Sequence, residues 1–66
     1  MIRYRAYILD LDTCEKVLLG TYTNRFAAIK SANEIRTLNN ECVIVQQFDE
    51  IMDRWFTVYS KFKRGW

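Results

Sequence analysis

Seven aromatic residues, Tyr4, Tyr7, Tyr22, Trp55, Phe56, Tyr59 and Phe62, share this 66-residue chain with a set of cations, Arg3, Arg5, Lys61, Lys63 and Arg64. Flat rings beside positive charges are the composition of a stacking platform for single-stranded nucleic acid, with bases on the rings and phosphates against the cations. The same rings suit a protein contact, because aromatic side chains bury large areas at small entropic cost. The charge pattern decides between the two. A phosphate-tracking groove needs one continuous positive field, whereas an antiparallel sheet sets Arg3 and Arg5 at the end bearing Asp49, Glu50 and Asp53. It sets Lys61, Lys63 and Arg64 at the end bearing Asp10, Asp12 and Glu15. The charges partly cancel, and the sequence favours core and protein contacts over nucleic acid. Glycine occurs only at Gly20 and Gly65, so the aromatic-and-glycine signature of an RNA-recognition motif is missing as well.

Other chemistry fares less well. Asp10, Asp12 and Glu15 place three carboxylates within six residues, but a calcium loop needs further oxygen ligands and a glycine for its sharp turn. They read as turn-forming acids, and so do Asp49, Glu50 and Asp53. Pairing carboxylates from the two loops for glycoside chemistry fails, because the loops lie at opposite ends of the predicted sheet. The chain has no histidine, which removes the commonest general base and the usual partner of a nucleophilic serine or cysteine. Cys14 sits between Asp12 and Glu15, charges that disfavour its thiolate. Cys42 falls in a strand. Two cysteines without histidine do not complete a zinc tetrahedron, and no glycine-rich phosphate loop precedes the helix. The expectation is a non-catalytic protein with no cofactor and no metal.

The elements that position these residues follow from hydrophobic spacing. The period runs at two over 2–9 and 15–23, turns helical after Asn24, and returns to two over 41–48 and 54–62. Asn24 is the predicted N-cap, with Thr23 the alternative, and the helix should start near Arg25. Ala28, Ser31, Ala32, Ile35 and Leu38 form its buried stripe, and Asn39 and Asn40 should end it in the left-handed conformation. Phe26 points away from that stripe; the simpler reading folds it against the sheet end, the sharper one makes it an exposed partner contact. Gly20 marks a bulge or a close approach in the second strand.

Two hairpins and one helix predict a single α+β domain over 1–66: ββαββ, one four-stranded mainly antiparallel sheet with a single helix on one face. Strand orders 2-1-3-4 and 3-4-2-1 both satisfy the antiparallel condition. One helix covers only one face, and the strands carry apolar residues on both. The other face should therefore meet a second copy of the chain, most simply as a homodimer, or a partner protein that it masks. Alternation assigns Tyr4, Trp55 and Tyr59 to that outer face and Phe56, Val58 and Phe62 to the helix. Arg3 and Arg5, opposite Tyr4, should then lie at the helix's rim with their stems buried and their heads in water. The predicted partner-binding residues are Tyr4, Tyr22, Trp55, Tyr59 and Lys61. The alternative, a single-stranded nucleic-acid-binding module, uses the sheet aromatics with Arg3, Arg5, Lys61, Lys63 and Arg64. Two cysteines are too few for a secreted disulfide framework. No apolar run reaches the roughly 18 residues of a membrane span, and the N-terminus lacks an uninterrupted apolar leader. A cytoplasmic, regulatory or phage-type small protein is the expected setting.

Overall fold

The computed structural model describes residues 3–37 and 40–62. Four strands and one helix follow in the predicted order: β1 (Tyr4–Asp10), β2 (Lys16–Tyr22), α1 (Arg25–Glu34), β3 (Glu41–Asp49) and β4 (Arg54–Phe62). They form one antiparallel sheet in the order β2-β1-β3-β4, the first of the two predicted alternatives. The β-branched run Val43-Ile44-Val45 lies on a central strand, where such residues pack best. Val43 and Val45 are fully buried.

Both hairpins are closed by the same device. Asp10 Oδ1 accepts from the backbone N–H groups of Asp12 and Thr13 at 2.9 and 3.3 Å, and Asp49 Oδ1 accepts from Ile51 and Met52 at 2.9 and 3.2 Å. Four residues after each aspartate the chain turns left-handed, at Cys14 (φ 62°) and Asp53 (φ 53°). These two aspartates therefore shape turns through local side-chain bonds. A left-handed residue with a Cβ costs roughly 1–2 kcal/mol, and glycine gives part of that back in unfolded-state entropy. Cys14→Gly should accordingly raise stability by roughly 0.5–1 kcal/mol. Its denaturant midpoint should rise at unchanged m, and a fall would mean that the exposed thiol makes a packing contact.

The helix starts as the sequence predicts. Asn24 is extended (φ −125°, ψ 128°), and its side-chain oxygen accepts from Phe26 N at 2.7 Å and Ala27 N at 3.4 Å. Removing that acceptor with Asn24→Ala should cost about 1 kcal/mol. Urea melts would read this loss, and Asn24→Asp, which keeps the acceptor, should retain most of the stability. The end of the helix departs from expectation: α1 stops at Glu34, and Ile35 is already extended (φ −80°, ψ 135°). The reason lies on β4. Lys61 Nζ donates to the carbonyl oxygens of Asn33 at 2.7 Å and Ile35 at 3.4 Å, a cation placed on carbonyls that a helix terminus leaves unsatisfied. Leu38 and Asn39 lie outside the described residues. Asn40 does not cap the helix but braces the first hairpin, its amide donating to Asp10 and Asp12 at 3.3 and 3.2 Å and its carbonyl accepting from Leu11 N at 2.7 Å.

The core is thin and made of small side chains. Ala28 and Ala32 of the helix meet Ala6, Val43 and Val45 of the two central strands, all fully buried. Tyr4, Ile8, Leu19, Tyr22, Ile35, Val58 and Tyr59 pack around them. A Cβ on Gly20 would come within 2.9 Å of the Tyr22 hydroxyl, so the missing side chain lets the phenol lie back along its own strand. The predicted close approach is real, and a bulge sits beside it.

Candidate interaction surface

Two bulges decide which residues face the helix. On β2, Gly20 pairs with Ala6 and Leu18 with Tyr7, which leaves Leu19 as an extra residue. On β4, Tyr59 pairs with Val45 and Thr57 with Gln46, which leaves Val58 extra. Ala6 and Val45 are themselves partners, so both bulges lie at the same level, one on each edge strand. Each sends its extra apolar side chain into the helix-side core. A bulge places two residues against one and shifts the alternation beyond it.

The predicted outer face is corrected: the β4 bulge moves Tyr59 and Lys61 to the helix side, whereas Tyr4, on the regular strand β1, shares the helix-side parity of Ala6 without any bulge. Tyr4 and Tyr59 are helix-side residues, and only Trp55 of that trio lies on the open face. Val58 packs on the helix-side core as expected, and Phe56 shares the helix-side parity. Phe62 pairs with Cys42 in the backbone register, and its side chain lies outside the described residues. Of the five predicted partner contacts, Tyr22 also lies on the helix side. Tyr59 donates its hydroxyl hydrogen to Asn33 Oδ1, and Lys61 holds the helix end. Of the predicted nucleic-acid set, Arg3 forms an exposed ion pair with Glu50 at 3.7 Å. Lys63 and Arg64 lie outside the described residues. Arg5 alone of that set stands in the middle of the open face, not at the helix's rim where the Tyr4 assignment would put it.

The register assembles that face from all four strands: Arg5, Tyr7 and Leu9 of β1, Lys16, Leu18 and Thr21 of β2, Cys42, Ile44, Gln46 and Phe48 of β3, and Trp55, Thr57 and Ser60 of β4. Arg5 is its hub. Its guanidinium carbon lies 3.9 Å from the Trp55 ring centroid and 5.0 Å from that of Tyr7, and its Nε donates to Gln46 Oε1 at 2.9 Å. Phe48 meets Trp55 edge-on at 5.3 Å, and Lys16 Nζ stands 5.4 Å from the Tyr7 centroid. Desolvated cation–π contacts reach about 2 kcal/mol and exposed ones about half that or less, enough to hold Arg5 flat across β3. Leu18 is 54% exposed at the β2 edge. Cys42 is buried between its neighbours, and burial raises its thiol pKa.

Lys16, Gln46 and Phe48 were not singled out by sequence reasoning, yet a usable signal exists. Counting back from the first turn pairs Leu9 with Lys16 and puts both on the Tyr7 side. A second apolar feature lies on the helix. Phe26, 82% exposed, lines an open groove of about 510 Å³ with Ile29, Lys30 and Asn33; it is not folded against the sheet end. Among the described residues no cluster of three His, Cys, Asp or Glu side chains is disposed to hold a metal ion, and no helix is long and apolar enough to cross a membrane. No family model matches this chain, and neither a curated protein nor a solved structure matches it.

Proposed function

We propose that this protein is a non-catalytic interaction module that works by occupancy, its open sheet face covering a partner that presents anionic groups beside flat apolar ones. One observation carries the reading: Tyr7, Leu18, Ile44, Phe48 and Trp55 form an apolar and aromatic surface on the side of the sheet away from the only described helix, with Arg5 and Lys16 set among them. A face of this composition that no described helix covers has the make-up of a contact site. The strand carboxylates Asp10, Glu41 and Asp49 all take the helix-side parity, so charge complementarity calls for an anionic occupant. A symmetric face-to-face pair of this chain would instead enclose two copies each of Arg5 and Lys16 with no strand carboxylate in the same layer. Edge-to-edge pairing is blunted by the bulges in β2 and β4. The two cysteines are unpaired, which suits a reducing compartment such as the cytosol.

Amide chemical shifts of the labelled full chain test the reading, with poly-L-glutamate and oligothymidylate as anionic probes. Shifts should gather at Tyr7, Lys16, Leu18, Ile44 and Trp55 with at least one probe. Shifts centred on the helix, or none with either probe, would overturn it. A concentration-dependent mass that Leu18→Glu abolishes would replace the anionic partner with a second copy.

A further inference from the structure

Two cations and three rings form a connected line across the open face. From the β2 edge to the β4 edge the order is Lys16, Tyr7, Arg5 and Trp55, with Phe48 of β3 edge-on to Trp55, each in contact distance of the next: 5.4, 5.0, 3.9 and 5.3 Å. Four different strands supply this line, so the sheet itself sets its spacing. A guanidinium carries five N–H donors, and the Gln46 bond occupies one of them while fixing the plane. An acidic protein segment would use the two cations and leave the rings without a matching group. A nucleotide strand uses both, because every base has a flat face and every linkage a negative charge.

We propose that this line binds single-stranded nucleic acid, phosphates lying against Lys16 and Arg5 while bases stack on the Arg5 plane and on the faces of the Tyr7 and Trp55 rings that the two cations leave free. The proposal rests on the reading of the open face as the working surface and names its occupant. Binding is sequence-tolerant, since stacking does not read base edges. A duplex is disfavoured, since its base faces are already stacked on one another.

Fluorescence anisotropy of a labelled oligothymidylate with the full chain, over a range of salt, tests this. Each phosphate contact on a single strand contributes about 0.7 to the slope of log affinity against log salt. Lys16→Gln, an exposed substitution, should therefore flatten the slope by about 0.7, and Arg5→Gln by a similar amount. Tyr7→Leu should weaken binding roughly 5- to 150-fold with the slope unchanged. Circular dichroism of each variant confirms that the sheet is intact. A duplex of equal length should bind more weakly than the single strand. If oligothymidylate fails to bind at low salt while poly-L-glutamate still shifts open-face amides, the nucleic-acid assignment is lost and the interaction module stands. If neither probe engages the face, both are lost. Binding that Lys16→Gln and Tyr7→Leu leave unchanged would place the nucleic acid elsewhere and overturn the proposal.

Discussion

Replacing Ala32 with leucine should lower the melting temperature by roughly 8–16 °C, because overpacking costs about 2 kcal/mol and a domain this small loses about 4–8 °C per kcal/mol. Ala32 and Ala28 are fully buried against Ala6, Val43 and Val45, so the helix sits close to the sheet and three added carbons have nowhere to go. The helix must lift, and lifting it uncovers both valines at once. A core of this size rarely supplies more than about 3–5 kcal/mol, so the variant loses a large share of its stability. Ala27 provides the internal control. It is exposed on the same helix, and Ala27→Leu should stay within about 0.5 kcal/mol of the parent. Thermal melts of the two variants compare them directly. Equal melting temperatures would mean that the helix rides higher than the alanine stripe implies.

That stripe was legible in the sequence, as were the element order, the Asn24 cap, the antiparallel sheet and one of two strand orders. Each depends on a local signal: a change of period, a capping side chain, a turn of fixed length. What could not be read is which face each β1 and β4 residue serves. On β1, which stays regular, both faces carry something to bury, and the open face belongs to Arg5 and Tyr7 rather than to Tyr4. Period-two reasoning assigns Trp55, Thr57, Tyr59 and Lys61 to one face, and it holds only while the strand stays regular. Val58 breaks the regularity, and nothing in its own residue type announces a bulge; the cause is non-local, a fit of β4 to β3 that brings both Val58 and Tyr59 to the core. On β2 the neighbouring Gly20 did leave a trace, and the bulge falls one residue away, at Leu19. The helix end was missed for a similar reason, since the side chain that satisfies its last carbonyls comes from Lys61, 26 positions beyond Ile35. The candidate site suffered most. Arg5 and Trp55 were both visible as residues, but their contact spans β3, and only the assembled register brings them together.

Lys61 and Tyr59 illustrate how a residue that resembles a partner contact can instead hold the fold, and the distinction is measurable. Lys61→Met keeps the apolar stem and removes the ammonium, leaving the Asn33 and Ile35 carbonyls without their charged donor. Hydrogen bonds to charged groups contribute about 1.5–3 kcal/mol, and solvent access at this half-buried site reduces that to about 1–2 kcal/mol. Tyr59→Phe removes the hydroxyl that donates to Asn33 Oδ1 and should cost about 1 kcal/mol. Both side chains act on the same residue of the helix's last turn, so the losses should not add. Once one anchor is gone the turn frays, and the second has less left to hold; the double variant should fall short of the sum by about 0.5 kcal/mol or more. A solvated surface lysine would behave otherwise, with Lys61→Met within about 0.5 kcal/mol of the parent and the pair strictly additive. Chemical denaturation of the four proteins in the cycle separates the two cases. Additive, near-zero effects would return Lys61 and Tyr59 to the pool of residues free to meet a partner.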